Sequence, residues 1–110
     1  MINTQKLNKI MLDLGHRENI LGTAYLRHGV TLYDGGLRSM TKELYPTIAK
    51  EVDSTPSRVE RAMRHSITSA WGRGSTEEQV LLFGYTVDPK RGAPTVGEFI
   101  ALVARECHED

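Results

Sequence analysis

The chain has 110 residues, enough for one compact domain that buries its own core without disulfide or metal staples. Its 39% hydrophobic content excludes a disordered chain, and no apolar run approaches the roughly 20 residues that span a bilayer. Fourteen basic residues balance fourteen acidic ones, so any nucleic-acid surface requires the charges to be segregated onto separate faces.

Thr4 to Leu14 places Leu7, Ile10, Met11 and Leu14 at the i, i+3, i+4, i+7 spacing of an amphipathic helix, and Gly15 sits where such a helix ends. Glu18 to Tyr33 carries Ile20, Leu21, Ala24, Tyr25, Val30 and Leu32 and reads as a second helix, although Gly22, Gly29 and the pair Val30-Thr31 weaken it. Asp34-Gly35-Gly36 is a turn. From Leu44 to Val52 the apolar positions 44, 45, 48, 49 and 52 share one helical face. Pro46 has no N–H to donate and belongs in a first turn, so this helix begins near Tyr45, or begins near Thr41 and bends at the proline. Asp53-Ser54 stops it, and Asp tolerates the left-handed conformation a tight turn needs. Thr55 as N-cap and Pro56 at the first helical position open the next helix, with Ser57-x-x-Glu60 as a competing capping box. That helix runs to about Arg73, where Gly74 ends it. A short helix is predicted over Thr76 to Leu82 and an exposed loop over residues 88–94. The last helix, Thr95 to about Cys107, sets Val96, Phe99, Ile100, Val103 and Ala104 on one face behind a Thr95-x-x-Glu98 capping box. The pattern predicts an all-α fold of about six helices, organised as a single domain over residues 1–110.

At 100° per residue, Val59, Ala62, Met63, Ser66, Ile67, Ala70 and Trp71 gather on one side of the helix that starts at Pro56. Arg61, Arg64, His65 and Thr68 gather on the other, with Ser57 and Arg58 at the flanks near its N-terminus. One face is built to be buried, and the other presents a basic, hydrogen-bonding surface in the first turns. The major groove admits one helix, and side chains near its N-terminus meet base edges. An arginine fork engages guanine O6 and N7 together, and a carboxylate such as Glu60 accepts from a cytosine amine. Ile48, Ala49, Val52, Val59 and Ala62 have the spacing by which this helix packs steeply on the preceding one, with Ala49 small at the close approach. The two form a helix-turn-helix whose turn carries Asp53-Ser54 where many such units carry Gly.

Other chemistry is sparse. His16, His28, His65 and His108 show no metal-ligand spacing, and Cys107-His108 are adjacent, so their side chains point apart on a helix. No glycine-rich phosphate loop, paired catalytic carboxylates or Ser/His/Asp arrangement is present, so no enzyme, metal or cofactor is expected. Trp71 lies on the apolar face and is expected in the core; Tyr25, Tyr33 and Tyr45 are expected in the core or at its rim. The lone Cys107 fits a reducing, cytoplasmic compartment. A rival reading, a protein-interaction or anti-regulator domain that keeps the fold without binding DNA, draws on the neutral net charge.

Leu44-Tyr45-Pro46-x-Ile48-Ala49-Lys50, Ser57-Arg58-Val59-Glu60-Arg61-Ala62-x-Arg64-His65, Ala70-Trp71-x-Arg73-Gly74, Leu82-Phe83-Gly84-Tyr85-Thr86 and Pro94-Thr95-x-x-Glu98-Phe99-Ile100-Ala101 together resemble one family, with a weaker match at Tyr25-Leu26-Arg27. It is the C-terminal effector domain of the Firmicute sporulation response regulator. The resemblance implies six helices, the third and fourth forming the helix-turn-helix. It also implies binding to short promoter boxes of a T-G-T-C-G-A-A type, often in tandem, by two domains side by side. By the same resemblance Glu60, Arg61 and Arg64 contact bases. Ser57, Arg58 and His65 lie beside the phosphate backbone, joined by Thr68 on the same face and by Lys90 and Arg91 in the loop. The family further implies contact with the RNA polymerase sigma factor. It also implies an N-terminal receiver domain, so residues 1–110 are expected to be an effector domain alone, either excised or a stand-alone homologue.

Overall fold

The computed structural model describes residues 1–74, 76–84 and 92–110, and within them the fold is all-helical: α1 Thr4–Asp13, α2 Leu21–Asp34, α3 Tyr45–Glu51, α4 Pro56–Arg73, α5 Thr76–Phe83 and α6 Val96–Cys107. No helix among the described residues is long and apolar enough to cross a membrane. The six predicted helices are all present. The one displaced boundary is the start of α2: residues 17–20 form a turn instead of its first turn, and Glu18 there pairs with Arg27.

The helix ends follow their capping chemistry. Gly15 stands just past α1 at φ 91°, where His16 N–H donates to Met11 carbonyl and Gly15 N–H to Leu12 carbonyl, both at 2.9 Å. This closes the last turn by the glycine route. At α6 the Thr95 hydroxyl accepts from Glu98 N–H while the Glu98 carboxylate accepts from Thr95 N–H, as the capping box requires. The start of α3 resolves the ambiguity at Pro46. A wide π turn over Met40–Leu44 leads directly into the helix, with Leu44 N–H bonding five residues back to Ser39 carbonyl at 2.9 Å. The wider turn makes room for a ring that cannot donate and would crowd the preceding turn.

The core is one contiguous cluster. Met11, Leu14, Leu26, Val30, Leu44, Ile48, Met63, Ile67, Phe99, Ile100 and Val103 are its fully buried centre. Helix α2 lies across the middle and packs chiefly on α4 and α6, while α3 packs on α4. The glycines that weaken α2 as a helix permit this crossing. A Cβ at Gly22 would stand 1.9 Å from the Ala62 carbonyl oxygen, and one at Gly29 would meet Ile100, Leu44 and Met63 between 3.1 and 3.3 Å. The backbones of α2 and α4 therefore touch at Gly22. Trp71 is half-buried at the rim of the core rather than inside it, edge-on to Phe83 with ring centroids 5.3 Å apart. Tyr25 and Tyr33 also sit at the rim, and Tyr45 is buried.

Candidate nucleic-acid interface

The unit that positions the candidate site is α3, a four-residue connection (Val52 to Thr55) and α4. Val52 caps α3, Asp53 takes the left-handed conformation at φ 54°, and Ser54 N–H returns to Ala49 carbonyl at 2.9 Å. Asp fills the place glycine commonly holds, because its short polar side chain tolerates that region. Thr55 then caps α4 through its hydroxyl, which accepts from Arg58 N–H at 3.2 Å, and Pro56 occupies the first helical position. The competing Ser57–Glu60 box is not used. Ala49 and Val59 are buried in the α3–α4 seam. Val52, expected in that seam, is 40% exposed because the chain turns away at it, and Ala62 is half-buried against Gly22 of α2.

The back of α4 is locked in place. Val59, Met63, Ile67 and Ala70 are buried, and Ser66 joins a buried polar chain: its hydroxyl lies 3.0 Å from His16 Nδ1 and 3.0 Å from Thr23 Oγ1. His16 also packs on the Phe99 ring. Burial, and then the charges of Arg73 and Arg27, lower its pKa to about 4, so it is neutral at physiological pH. The sequence flagged His16 only as a non-ligand; its role is to tie the α1–α2 connection and α2 to α4. At the far end of α4, Arg73 donates to Ser69 Oγ at 2.6 Å and to Gly15 carbonyl at 3.2 Å. A Cβ at Gly74 would lie 2.3 Å from the Leu14 carbonyl oxygen, so α1 and α4 also end in close contact.

The front of α4 is open. Ser57, Arg58, Arg61, Arg64, His65 and Thr68 are all exposed and Glu60 is half-exposed, so the predicted residues of this helix share one surface. From Ser57 to Thr68 that surface is about 17 Å long at 1.5 Å per residue, roughly three turns, and a helix about 10–12 Å in diameter matches a major groove about 12 Å wide. Helix α4 holds four arginines and one acidic residue, whereas Glu18, Asp34 and Glu51 on other elements pair with Arg27, His108 and His28. The neutral chain thus segregates its charge. Arg58 and Arg61 form no ion pair among the described residues, and Arg64 Nε lies 3.7 Å from Glu60 Oε1 one turn back. The positive end of the helix dipole adds to the attraction for phosphate at Thr55–Arg58. Lys90 and Arg91 lie outside the described residues.

Beside this face runs a groove of about 660 Å³ between α4 and the start of α6, bordered by Tyr45, Glu60, Arg64, Thr68 and residues 92–97. Periodicity assigned Tyr45 to core or rim and gave no sign that it stands next to Glu60 and Arg64. Burial first, then the charge of Glu60, raises its phenol pKa, and Arg64 acts in the opposite sense. A second concavity, of about 580 Å³, lies along α6 between Tyr33, Arg38 and Phe83, away from the arginine face. No group of three or more His, Cys, Asp or Glu side chains among the described residues can hold a metal ion.

The family model described as "Sporulation initiation factor Spo0A C terminal" matches residues 7–107, which takes in all six helices almost whole. The chain therefore belongs to this family, the C-terminal DNA-binding domain of the sporulation initiation factor Spo0A.

Proposed function

We infer that the domain binds double-stranded DNA sequence-specifically and regulates transcription of sporulation-type genes, with α4 as its recognition helix in the major groove. The observation that carries this is the two-sided build of α4: a back face anchored to α2, α3, α6 and the α1–α2 connection, and an open front face bearing three arginines in its first three turns. In this reading Arg61, Arg64 and Glu60 meet base edges. Ser57, Arg58, His65 and Thr68 lie beside phosphates, and Lys90 and Arg91 are assigned to the backbone as well. Two copies side by side on tandem boxes, and contact with the RNA polymerase sigma factor, rest on the family alone. Family membership together with the segregated charge favours this reading over an interaction module that has lost DNA binding. The test is affinity for a duplex carrying tandem T-G-T-C-G-A-A boxes. Arg61→Ala and Arg64→Ala should each lose about 1–3 kcal/mol and relax preference at one base pair. Parental affinity in both variants would show that this helix does not read the duplex.

A further inference from the structure

The reading face contains its own carboxylate. Glu60 sits one turn before Arg64, and its side chain is 31% exposed against 62% for Arg64. The two share the groove with Tyr45, buried at the first residue of α3, and with Thr68. The Glu60 carboxylate and the Arg64 guanidinium, 3.7 Å apart, thus lie beside Tyr45 where α3 meets α4. We propose that Glu60 sets selectivity by exclusion: it occupies Arg64 and repels the phosphate backbone until a base edge bearing an amine donor accepts the carboxylate.

This rests on the DNA-reading function above and adds how the wrong sequence is refused. Phosphate contacts supply affinity without sequence information. A guanidinium held by a neighbouring carboxylate has less to offer a phosphate, and a carboxylate inside the groove is itself repelled by the backbone. A cytosine amine offsets these penalties, because it donates to the carboxylate and frees Arg64 for the adjoining guanine. Specificity is a difference of affinities and is raised as effectively by penalising the wrong site as by rewarding the right one. An exposed i, i+4 pair alone accounts for about a twofold effect, so most of the discrimination comes from the repulsion. On a face of three guanidiniums and one carboxylate, that single acid is a large share of the local charge.

The experiment compares the parent, Glu60→Gln, Arg64→Ala and the double variant by fluorescence anisotropy. The probes are a tandem T-G-T-C-G-A-A duplex and a scrambled duplex of the same composition, each from about 50 to 200 mM salt. Glu60→Gln should bind the scrambled duplex roughly three- to tenfold more tightly at the low end. Its salt slope should steepen by about 0.9, the signature of one added phosphate contact. Its preference for the box should fall. In the Arg64→Ala background the gain on scrambled DNA should shrink, because part of it passes through Arg64. A parent that discriminates, beside a Glu60→Gln variant with unchanged affinity and slope on scrambled DNA, overturns the inference alone. A parent with no preference for the box overturns the reading function and the inference with it. Matching thermal melts show that the variants share the parent's fold.

Discussion

Gly22 is the point at which the scaffold places the arginine face, and Gly22→Ala tests that placement. In an unobstructed helix, Gly→Ala stabilises by about 1 kcal/mol, because alanine loses less backbone freedom on folding. At Gly22 the new methyl would stand 1.9 Å from the Ala62 carbonyl oxygen and 2.5 Å from its carbon. Restoring an ordinary contact of 3.4 Å would require α2 and α4 to part by about 1.5 Å, and the obstacle is backbone rather than a flexible side chain. Overpacking costs about 1–3 kcal/mol, and a backbone clash belongs at the upper end. Set against the helix-propensity gain, the net effect is a loss of about 2 kcal/mol. For a domain of this size that is a fall of about 8 °C in Tm. Gly72 on α4 supplies the matched control: nothing lies within 4 Å of a Cβ there, so Gly72→Ala should raise Tm by about 4 °C. Urea and thermal unfolding of the two variants measure the contrast. If Gly22→Ala is as stable as the parent or more so, the backbones of α2 and α4 do not meet at Ala62, and the account of how α4 is seated fails.

Two further outcomes follow from the same scaffold. His16 has a folded pKa of about 4 against an ordinary 6.5, so the unfolded chain takes up a proton that the folded one refuses. Stability should therefore decline as pH falls from about 6.5 to about 4, by up to about 3 kcal/mol, and level off for this group below that. Urea midpoints across this range should show a shallower decline in His16→Gln, and identical slopes in both proteins would contradict the assignment. At the turn, Asp53→Gly should keep or slightly raise the urea midpoint, whereas Asp53→Val should lower stability by about 1–2 kcal/mol, because a β-branched residue resists φ 54°. Equal stability of the two variants would show that the turn does not need the left-handed conformation.

The sequence exposed whatever depends on local rules. Thr55-Pro56 announced the start of α4, Thr95-x-x-Glu98 the start of α6 and Gly15 the end of α1, since caps are satisfied within about five residues of the chain. The sidedness of α4 was equally legible, because a helix turns by a fixed angle and its buried and open faces follow from spacing alone. Contacts between distant segments were not legible. Gly22 counted against α2 as a helix until Ala62, forty residues on, supplied the reason for it. Val52 fitted the apolar stripe, yet as the cap of α3 it points where the chain reverses. His16, Thr23 and Ser66 have no shared spacing, and only the fold joins them into one buried chain. Tyr45 stands beside Glu60 and Arg64 because α3 packs on α4, and no periodicity encodes that.

The most direct test of the central claim is a ¹H–¹⁵N correlation titration of the labelled domain with a tandem-box duplex, read residue by residue. The largest shifts are predicted along the front of α4, at Ser57, Arg58, Arg61, Arg64, His65 and Thr68, with Glu60 and Tyr45 beside them. The back of the helix at Met63 and Ile67 should move least. Shifts centred on the concavity along α6, or no shifts at low salt, would contradict the assignment of α4 as the DNA-reading element.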